Sequence, residues 1–590
     1  MTEHRKSICL VASLLVAPWG VRIALLCCGT GFQWRWTDLR GFAGDLTLAL
    51  LLSAALTPLT RLNRWAPLPL VLLWALFHYA NHEFILGLDG TVAMAYVHHM
   101  ADAAFLEGSV SALHDAWFGT LLVSVSLGLA AWTLRTRPKI LWKHCTALGL
   151  SLSLVFLVWP YRLDVGGWRQ NNPLAEVLRW SVLYSPPTLP PPPSQEPADL
   201  TGKPRFPLNR VGHNVLIILL ESTSGSHIGA IAAANGRTSD VLTPNLDRWA
   251  SRGVTYSNVV ASQRQTNRGL YSVLCGDYPR ITTDPPRMEE IAVQGHRRCL
   301  AAVLRDHGYR TLFAQTAPLE FQSIGPFMKA AGFDEVVDPA TFAHSYASNH
   351  WGVDDQAFFE QAARHIHRTD SHGEPWFITL ITSGNHHPFT AVPPDFHSLD
   401  YPTVGPRRTL AYSDHAVGWL LDHLLASGVL DDTLVILASD ESSGMLSDPS
   451  DRSRVLAQNW GFLISHVPDV PPQMISSPHM LPDIAASVLD YLGIQETKAV
   501  FVGRSLFREY DRPRTLALGS TYLHAVGGLD AQGYAWLCLE DLSKCQRWAV
   551  PDQRLFSWES TGATAQPAAP PEFLREQVAR SLAPLEPGVR

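Results

Sequence analysis

Two acidic strand ends and one hydroxyl could together run metal-assisted group transfer in this chain. The apolar run Asn214-Val215-Leu216-Ile217-Ile218-Leu219-Leu220 ends in Glu221-Ser222. A second run, Thr433-Leu434-Val435-Ile436-Leu437-Ala438-Ser439, ends in Asp440-Glu441. Between them lies Ser262-Gln263-Arg264-Gln265-Thr266-Asn267-Arg268-Gly269, with Thr266 where a helix would open. Buried strands of a parallel sheet read as continuous β-branched and Leu runs, and open α/β sheets place their sites at the carboxyl ends of such strands. The pattern predicts one metal site with Thr266 as a metal-activated alkoxide nucleophile. Taken singly, each residue has a plainer use: a Thr before a helix is usually a cap, and so is a strand-end Glu.

The elements that must position these groups alternate from about residue 210 to 510. Strands are predicted at 214–220, 309–315, 376–382, 433–439 and 460–465. Helices are predicted at 244–252, 268–275, 299–307, 354–367, 409–426 and 481–492. That alternation predicts a doubly wound α/β domain over 210–515. A C-terminal extension, 516–590, holds a strand at Tyr534–Leu539 near a hairpin and an Ala- and Pro-rich tail expected to be mobile. Asp354 reads equally as a helix cap and as part of a substrate site, and His479 as a capping or surface residue. Eight cysteines are present. Cys9, Cys27, Cys28 and Cys145 fall in or beside apolar stretches; Cys275, Cys299, Cys538 and Cys545 fall in the later half. Four cysteines in an oxidising compartment predict two disulfides, Cys275–Cys299 and Cys538–Cys545, the shorter spacing closing more easily. No C-x-x-C zinc pattern and no glycine-rich phosphate loop stand out. The net charge of −7 argues against a nucleic-acid partner.

Residues 1–160 read as a transmembrane domain. Apolar stretches near the roughly 20 residues a spanning helix needs fall at 8–28, 42–59, 67–86, 117–135 and 145–160. Arg22 interrupts the first, for which a cleaved signal peptide is the alternative. Arg5 and Lys6, Arg61 and Arg64, and Arg135, Arg137, Lys139 and Lys143 place their loops in the cytosol, with Arg35 and Arg40 against the trend. Five spans would put everything after Pro160 on the outer side of an inner membrane. His78, Asn81, His82 and Glu83 end the third span, as boundary residues or a lipid-headgroup contact. Residues 161–209 hold a juxtamembrane helix, capped by Asn172-Pro173, and then Ser185-Pro186-Pro187-Thr188-Leu189-Pro190-Pro191-Pro192-Pro193, a semi-rigid polyproline spacer.

Six stretches occur in a telling order: Asn214–Ser222, Leu242-Thr243-Pro244-Asn245-Leu246-Asp247, Thr266-Asn267-Arg268-Gly269, Trp351-Gly352-Val353-Asp354-Asp355, Gly384-Asn385-His386-His387-Pro388-Phe389 and Gly503-Arg504-Ser505-Leu506. Behind a helical anchor they resemble the lipoteichoic-acid-synthase and phosphoglycerol-transferase branch of the alkaline-phosphatase superfamily, with its sulfatase-like outer domain. The resemblance covers about 210–510 and the anchor. It implies Glu221 and Asp440 as metal ligands, with Thr266 as a nucleophile that also touches the metal. His386 or His387 would protonate the leaving alcohol or clamp the phosphate. Arg268 would pair with an anionic substrate, and Trp351 and Asn385 would line its site. It further implies a phospholipid donor and an extracytoplasmic glycan acceptor at the membrane, in the periplasm.

One departure stands out. The family pattern has Asp-His where this chain has Asp440-Glu441. With Glu441 as a ligand beside Glu221, Thr266 and Asp440, the all-oxygen site would favour Mn²⁺ or Mg²⁺, with Zn²⁺ less suited. The competing expectations are a phosphoethanolamine transferase, a sulfatase-like hydrolase, and a degenerate relative that binds without catalysis. A formylglycine sulfatase needs Cys or Ser followed by x-Pro-x-Arg, which the stretch around Thr266 lacks.

Overall fold

Runs of Val, Ile and Leu with no wet face become the central strands. In the computed structural model, described over residues 3–28, 34–88, 90–92, 116–135, 146–152, 165, 167–182, 184, 186–192, 197–238, 242–294, 297–349, 351–386, 389–396, 405–442, 451–496 and 501–584, two compact units part between Pro186 and Pro187. In the second unit, strands β1 (Asn214–Leu219), β2 (Val254–Val260), β3 (Arg310–Gln315), β4 (Glu335–Val337), β5 (Trp376–Ile381), β6 (Thr433–Ala438), β7 (Trp460–His466), β8 (Gln473–Ile475) and β9 (His479–Met480) make one sheet. Its order is β8-β2-β7-β6-β1-β5-β3-β4, with β9 also on β2. β1, β5 and β6 are buried at every position.

The sheet is mixed rather than purely parallel. β7 runs antiparallel to both β6 and β2, while the other pairings are parallel. β2 was not expected from the sequence, because Thr255, Ser257 and Asn258 interrupt its apolar residues. Thr255 and Asn258 are tolerated inside because partners exist: Thr255 Oγ1 donates to Ala250 O at 2.9 Å, and Asn258 Nδ2 donates to Gln553 O at 2.7 Å. The register sets Leu219 beside both Ile381 and Ala438. The chain therefore leaves β1, β5 and β6 at one level, and the residues just beyond these three strands converge.

The C-terminal extension is a second sheet, not a hairpin with a loose tail. β10 (Leu516–Ser520), β11 (Ala525–Leu529), β12 (Tyr534–Leu539), β13 (Cys545–Ala549) and β14 (Gln566–Ala568) pair in sequence order, all antiparallel. The tail expected to be mobile supplies β14 and the helix Glu572–Leu582, whose Leu574 and Val578 are buried with Ile281, Ala517 and Val526. Both expected disulfides are formed. Cys538 and Cys545 are direct cross-strand partners, and Cys275 closes the helix that Thr266 opens.

In the first unit, helices run over Glu3–Cys28, Leu39–Leu56, Pro67–Leu88 and Ala116–Arg135. Three segments among the described residues are long and apolar enough to cross a membrane: Leu10–Cys27, Trp36–Leu62 and Ala116–Arg135. The expected count of five is thus not confirmed. Pro67–Leu88 is helical where the third span was expected, but it carries His78, Asn81, His82 and Glu83. Most of the expected fifth, 145–160, lies outside the described residues, which are helical at 146–152. Arg22 inside the first helix is buried and forked onto Asp45, Nε to Oδ2 at 2.9 Å and Nη2 to Oδ1 at 3.0 Å. Pairing is how an ionisable group is accommodated at such a position. Asn172 caps the helix Pro173–Ser181 by accepting from Leu174 N.

Candidate active site

Glu221 and Asp440 emerge side by side because β1 and β6 are hydrogen-bonded neighbours ending in register. Ser222 N donates to Asp440 Oδ1 at 3.3 Å and fixes the two strand ends together. Thr266 opens the helix Thr266–Cys275, and its hydroxyl donates to Glu221 Oε1 at 3.4 Å. Gly269 allows that approach: a Cβ there would sit 2.1 Å from the Asp440 carbonyl oxygen. The Thr-x-x-Gly spacing therefore has a steric cause. It lays one turn of helix directly on the strand end that carries Asp440.

The electrostatics are those of crowded acids. Burial, then the charges of Asp440, Glu441 and Asp355, hold the Glu221 carboxyl far above the ordinary carboxylate range. Burial and then Glu441 push Asp440 up to about 7, while the Thr266 hydroxyl and the Ser222 amide pull the other way. Burial also raises Glu441, against Arg264 and the Ser222 hydroxyl. Asp355, which the sequence placed only in the stretch entering a helix, is a further buried acid, pushed up to about 7 by burial against a hydrogen bond from Ser413. Its neighbour Asp354 is the helix cap, accepting from Ala357 N at 2.9 Å.

These residues fit a divalent cation in part. Glu221 Oε2 and Asp440 Oδ2 are buried and accept no hydrogen bond among the described residues. Two orphaned carboxylate oxygens beside a threonine hydroxyl are a hard, all-oxygen donor set, suited to Mg²⁺ or Mn²⁺. No three His, Cys, Asp or Glu side chains among the described residues already close into a metal cage. Glu441 is engaged elsewhere: its Oε1 accepts a hydrogen bond from the Ser222 hydroxyl.

The expected substrate residues are distributed unevenly. Asn385 Nδ2 donates to Thr223 Oγ1 at 3.1 Å, two residues beyond Glu221. His386 lies against Trp351, ring centroids 4.1 Å apart. Trp351 O accepts from Ser383 Oγ at 2.9 Å, which ties that loop to the end of β5. Asn385, His386 and Trp351 thus gather at the loop after β5, with Asn385 reaching the loop after Glu221; His387 lies outside the described residues. Arg268, expected on the substrate, is buried and points into structure. It donates to Gln265 Oε1 at 2.5 Å, to Asp284 O at 2.6 Å and to Arg280 O. The cation that acts on the carboxylates is Arg264, which favours ionised Glu441 and sits 5.6 Å over the Tyr522 ring. Tyr522 comes from the C-terminal extension, so no local pattern could have flagged it. His479, expected at a cap or on the surface, is instead buried against Tyr256.

Residues 213–494 match the sulfatase family. Phosphoglycerol transferase I of Xanthomonas campestris pv. campestris (strain B100) is 28% identical over 250 residues, 40% of this chain and 35% of that protein. Phosphoglycerol transferase I of Escherichia coli O127:H6 is 24% identical over 210 residues, 34% of this chain and 28% of that one. The match thus spans about a third of the length of these relatives. A solved protein of the alkaline phosphatase superfamily from Vibrio parahaemolyticus superposes with a TM-score of 0.54 at 20% identity, covering 68% of this chain and 90% of its own. That likeness is one of fold.

Proposed function

We propose that this chain is a membrane-anchored, sulfatase-like phosphotransferase that moves a phosphoglycerol-type headgroup from a phospholipid to an extracytoplasmic glycan through phospho-Thr266. The observation that carries the reading is the Thr266 hydroxyl directed at Glu221, beside two buried carboxylate oxygens that lack partners. The names of the relatives support the headgroup. The apolar N-terminal helices support a lipid donor and a periplasmic, inner-membrane setting.

In the first half-reaction, Thr266 passes its hydroxyl proton to Glu221 as Oγ attacks the donor phosphorus, the phosphorus–oxygen bond to diacylglycerol breaks, and His386 gives the leaving alkoxide its proton. In the second, a glycan hydroxyl gives its proton to His386 as it attacks phospho-Thr266, and the released Thr266 oxygen takes its proton back from Glu221. Amides of the first helical turn offer donors to the phosphoryl oxygens. Glu221, Asp440 and Thr266, with Glu441 as the fourth expected ligand, would hold Mn²⁺ or Mg²⁺. Such an ion, when bound, lowers the pKa of a hydroxyl and polarises a phosphoryl oxygen.

The test is capture of a labelled headgroup. The full chain, given phosphatidylglycerol labelled in its headgroup without acceptor, should retain label on Thr266 and release it on addition of glycan. Thr266→Ala should take up none while remaining folded, since losing a cap costs about 1 kcal/mol. Normal turnover by Thr266→Ala would refute the assignment. A second reading, a binding relative without catalysis, is favoured by Glu441 being engaged by Ser222. It predicts no label under any metal.

A further inference from the structure

A polar cavity of about 430 Å³ opens beside edge strand β8, and none of the residues around Thr266 lines it. Four arginines do: Arg205, Arg504, Arg512 and Arg514. They come from two distant stretches, brought together because Arg205 N donates to Phe507 O at 2.9 Å and Lys203–Pro204 pairs with Arg508–Glu509.

The four are not equivalent. Arg514 is buried and forked onto Asp483, so it is a fixed part of the wall. Arg504 and Arg512 share one carboxylate, Asp199, at 3.3 and 3.7 Å. Arg504 also lies over the Tyr510 ring at 4.9 Å. Arg205 is half-buried, and its Nε is buried without an acceptor among the described residues. A buried charged donor left unpaired is costly. The lining acids, Glu509 and Asp511, are both exposed. Burial and then the Arg514 charge lower Arg504, against Asp199, and burial lowers His479, against Asp483.

We infer that this cavity is an anion site for a phosphate ester, gripped by Arg205 and Arg512 against the fixed wall of Arg504 and Arg514. A planar guanidinium with several N–H donors matches phosphate oxygens bidentately. Arg205, whose Nε lacks an acceptor among the described residues, is the group such an anion would complete. The inference is independent of what Thr266 does. The ester could be borne by a lipid or by a soluble molecule, and the chemistry recognised is the same.

The experiment uses the full chain in detergent, titrated calorimetrically with inorganic phosphate, glycerol 1-phosphate, dioctanoyl phosphatidylglycerol and, as zwitterionic control, dioctanoyl phosphatidylcholine. Thr266→Ala is the background, so that the nucleophile is absent throughout. Binding of at least one anionic probe is expected, weakened tenfold or more by Arg205→Ala and by Arg512→Ala, and largely kept by Arg205→Lys. Competition by glycerol 1-phosphate supports a soluble ester, and binding of the anionic lipid alone supports a headgroup. An unchanged melting temperature for Arg205→Ala separates lost binding from lost folding. If no anionic probe binds, or if binding is indifferent to both Arg205→Ala and Arg512→Ala, the inference is overturned.

Discussion

Gly269→Ala sets two known effects against each other and lets the structure decide. Helix propensity alone favours alanine over glycine by about 1 kcal/mol. The added Cβ, however, would lie 2.1 Å from the Asp440 carbonyl oxygen and 2.7 Å from its carbonyl carbon. Those atoms are backbone and cannot rotate away, so helix and strand end must part by more than about 1 Å to reach van der Waals contact. Overpacking of this kind costs about 1–3 kcal/mol. The balance predicts a net loss of up to about 2 kcal/mol. The displaced atoms carry Asp440 and the turn bearing Thr266, and a misplacement of about 1 Å can cost about 100-fold in rate. Turnover should therefore fall far more than stability does. The assay pairs thermal unfolding of the full chain in detergent with diacylglycerol release from phosphatidylglycerol. A variant at least as stable as its parent, with turnover within twofold, would refute the steric reasoning and the placement of Thr266 on Asp440.

Three further outcomes are expected. Without a cation, Asp440 titrates near 7 in the folded chain against an ordinary value of 3.8, so the folded state holds the extra proton and stability falls as pH rises across that window; Mn²⁺ or Mg²⁺ should flatten or reverse the trend, because metal and proton compete for the same oxygens. Superimposable melting curves in EDTA and in Mn²⁺, Mg²⁺ or Zn²⁺ at every pH would remove the metal from the account. Glu441→Gln should weaken Mn²⁺ binding and Glu441→His should shift preference toward Zn²⁺; if neither changes metal affinity or turnover in calorimetry and activity assays, Glu441 is not a ligand. Replacing the disulfide pairs with serine should cost about 2.5 kcal/mol for Cys538–Cys545 and about 3.5 kcal/mol for Cys275–Cys299 by loop-closure entropy, read as two separate drops in melting temperature, and equal stability of the parent and both variants would contradict this.

The chain by itself determined whatever depends on local order. The apolar runs ending in Glu221 and Asp440 could only be buried strands, and buried parallel strands deliver their ends to one edge. The helix after Thr266, the capped helix at Asn172-Pro173 and both disulfides were legible for the same reason, since close spacing leaves few alternatives. Tertiary structure decided whatever depends on a distant partner. β2 is polar in sequence and buried in space because Ala250 and Gln553 meet its side chains. Arg268 looks like a substrate cation until the carbonyls of Arg280 and Asp284 claim it. Arg264 gains its setting only when Tyr522, from the C-terminal extension, comes beneath it. Arg22 interrupts an apolar helix in the sequence and is answered by Asp45 in the fold. Charge compensation and hydrogen-bond satisfaction are pairwise properties, and a pattern read along one segment carries only half of each pair.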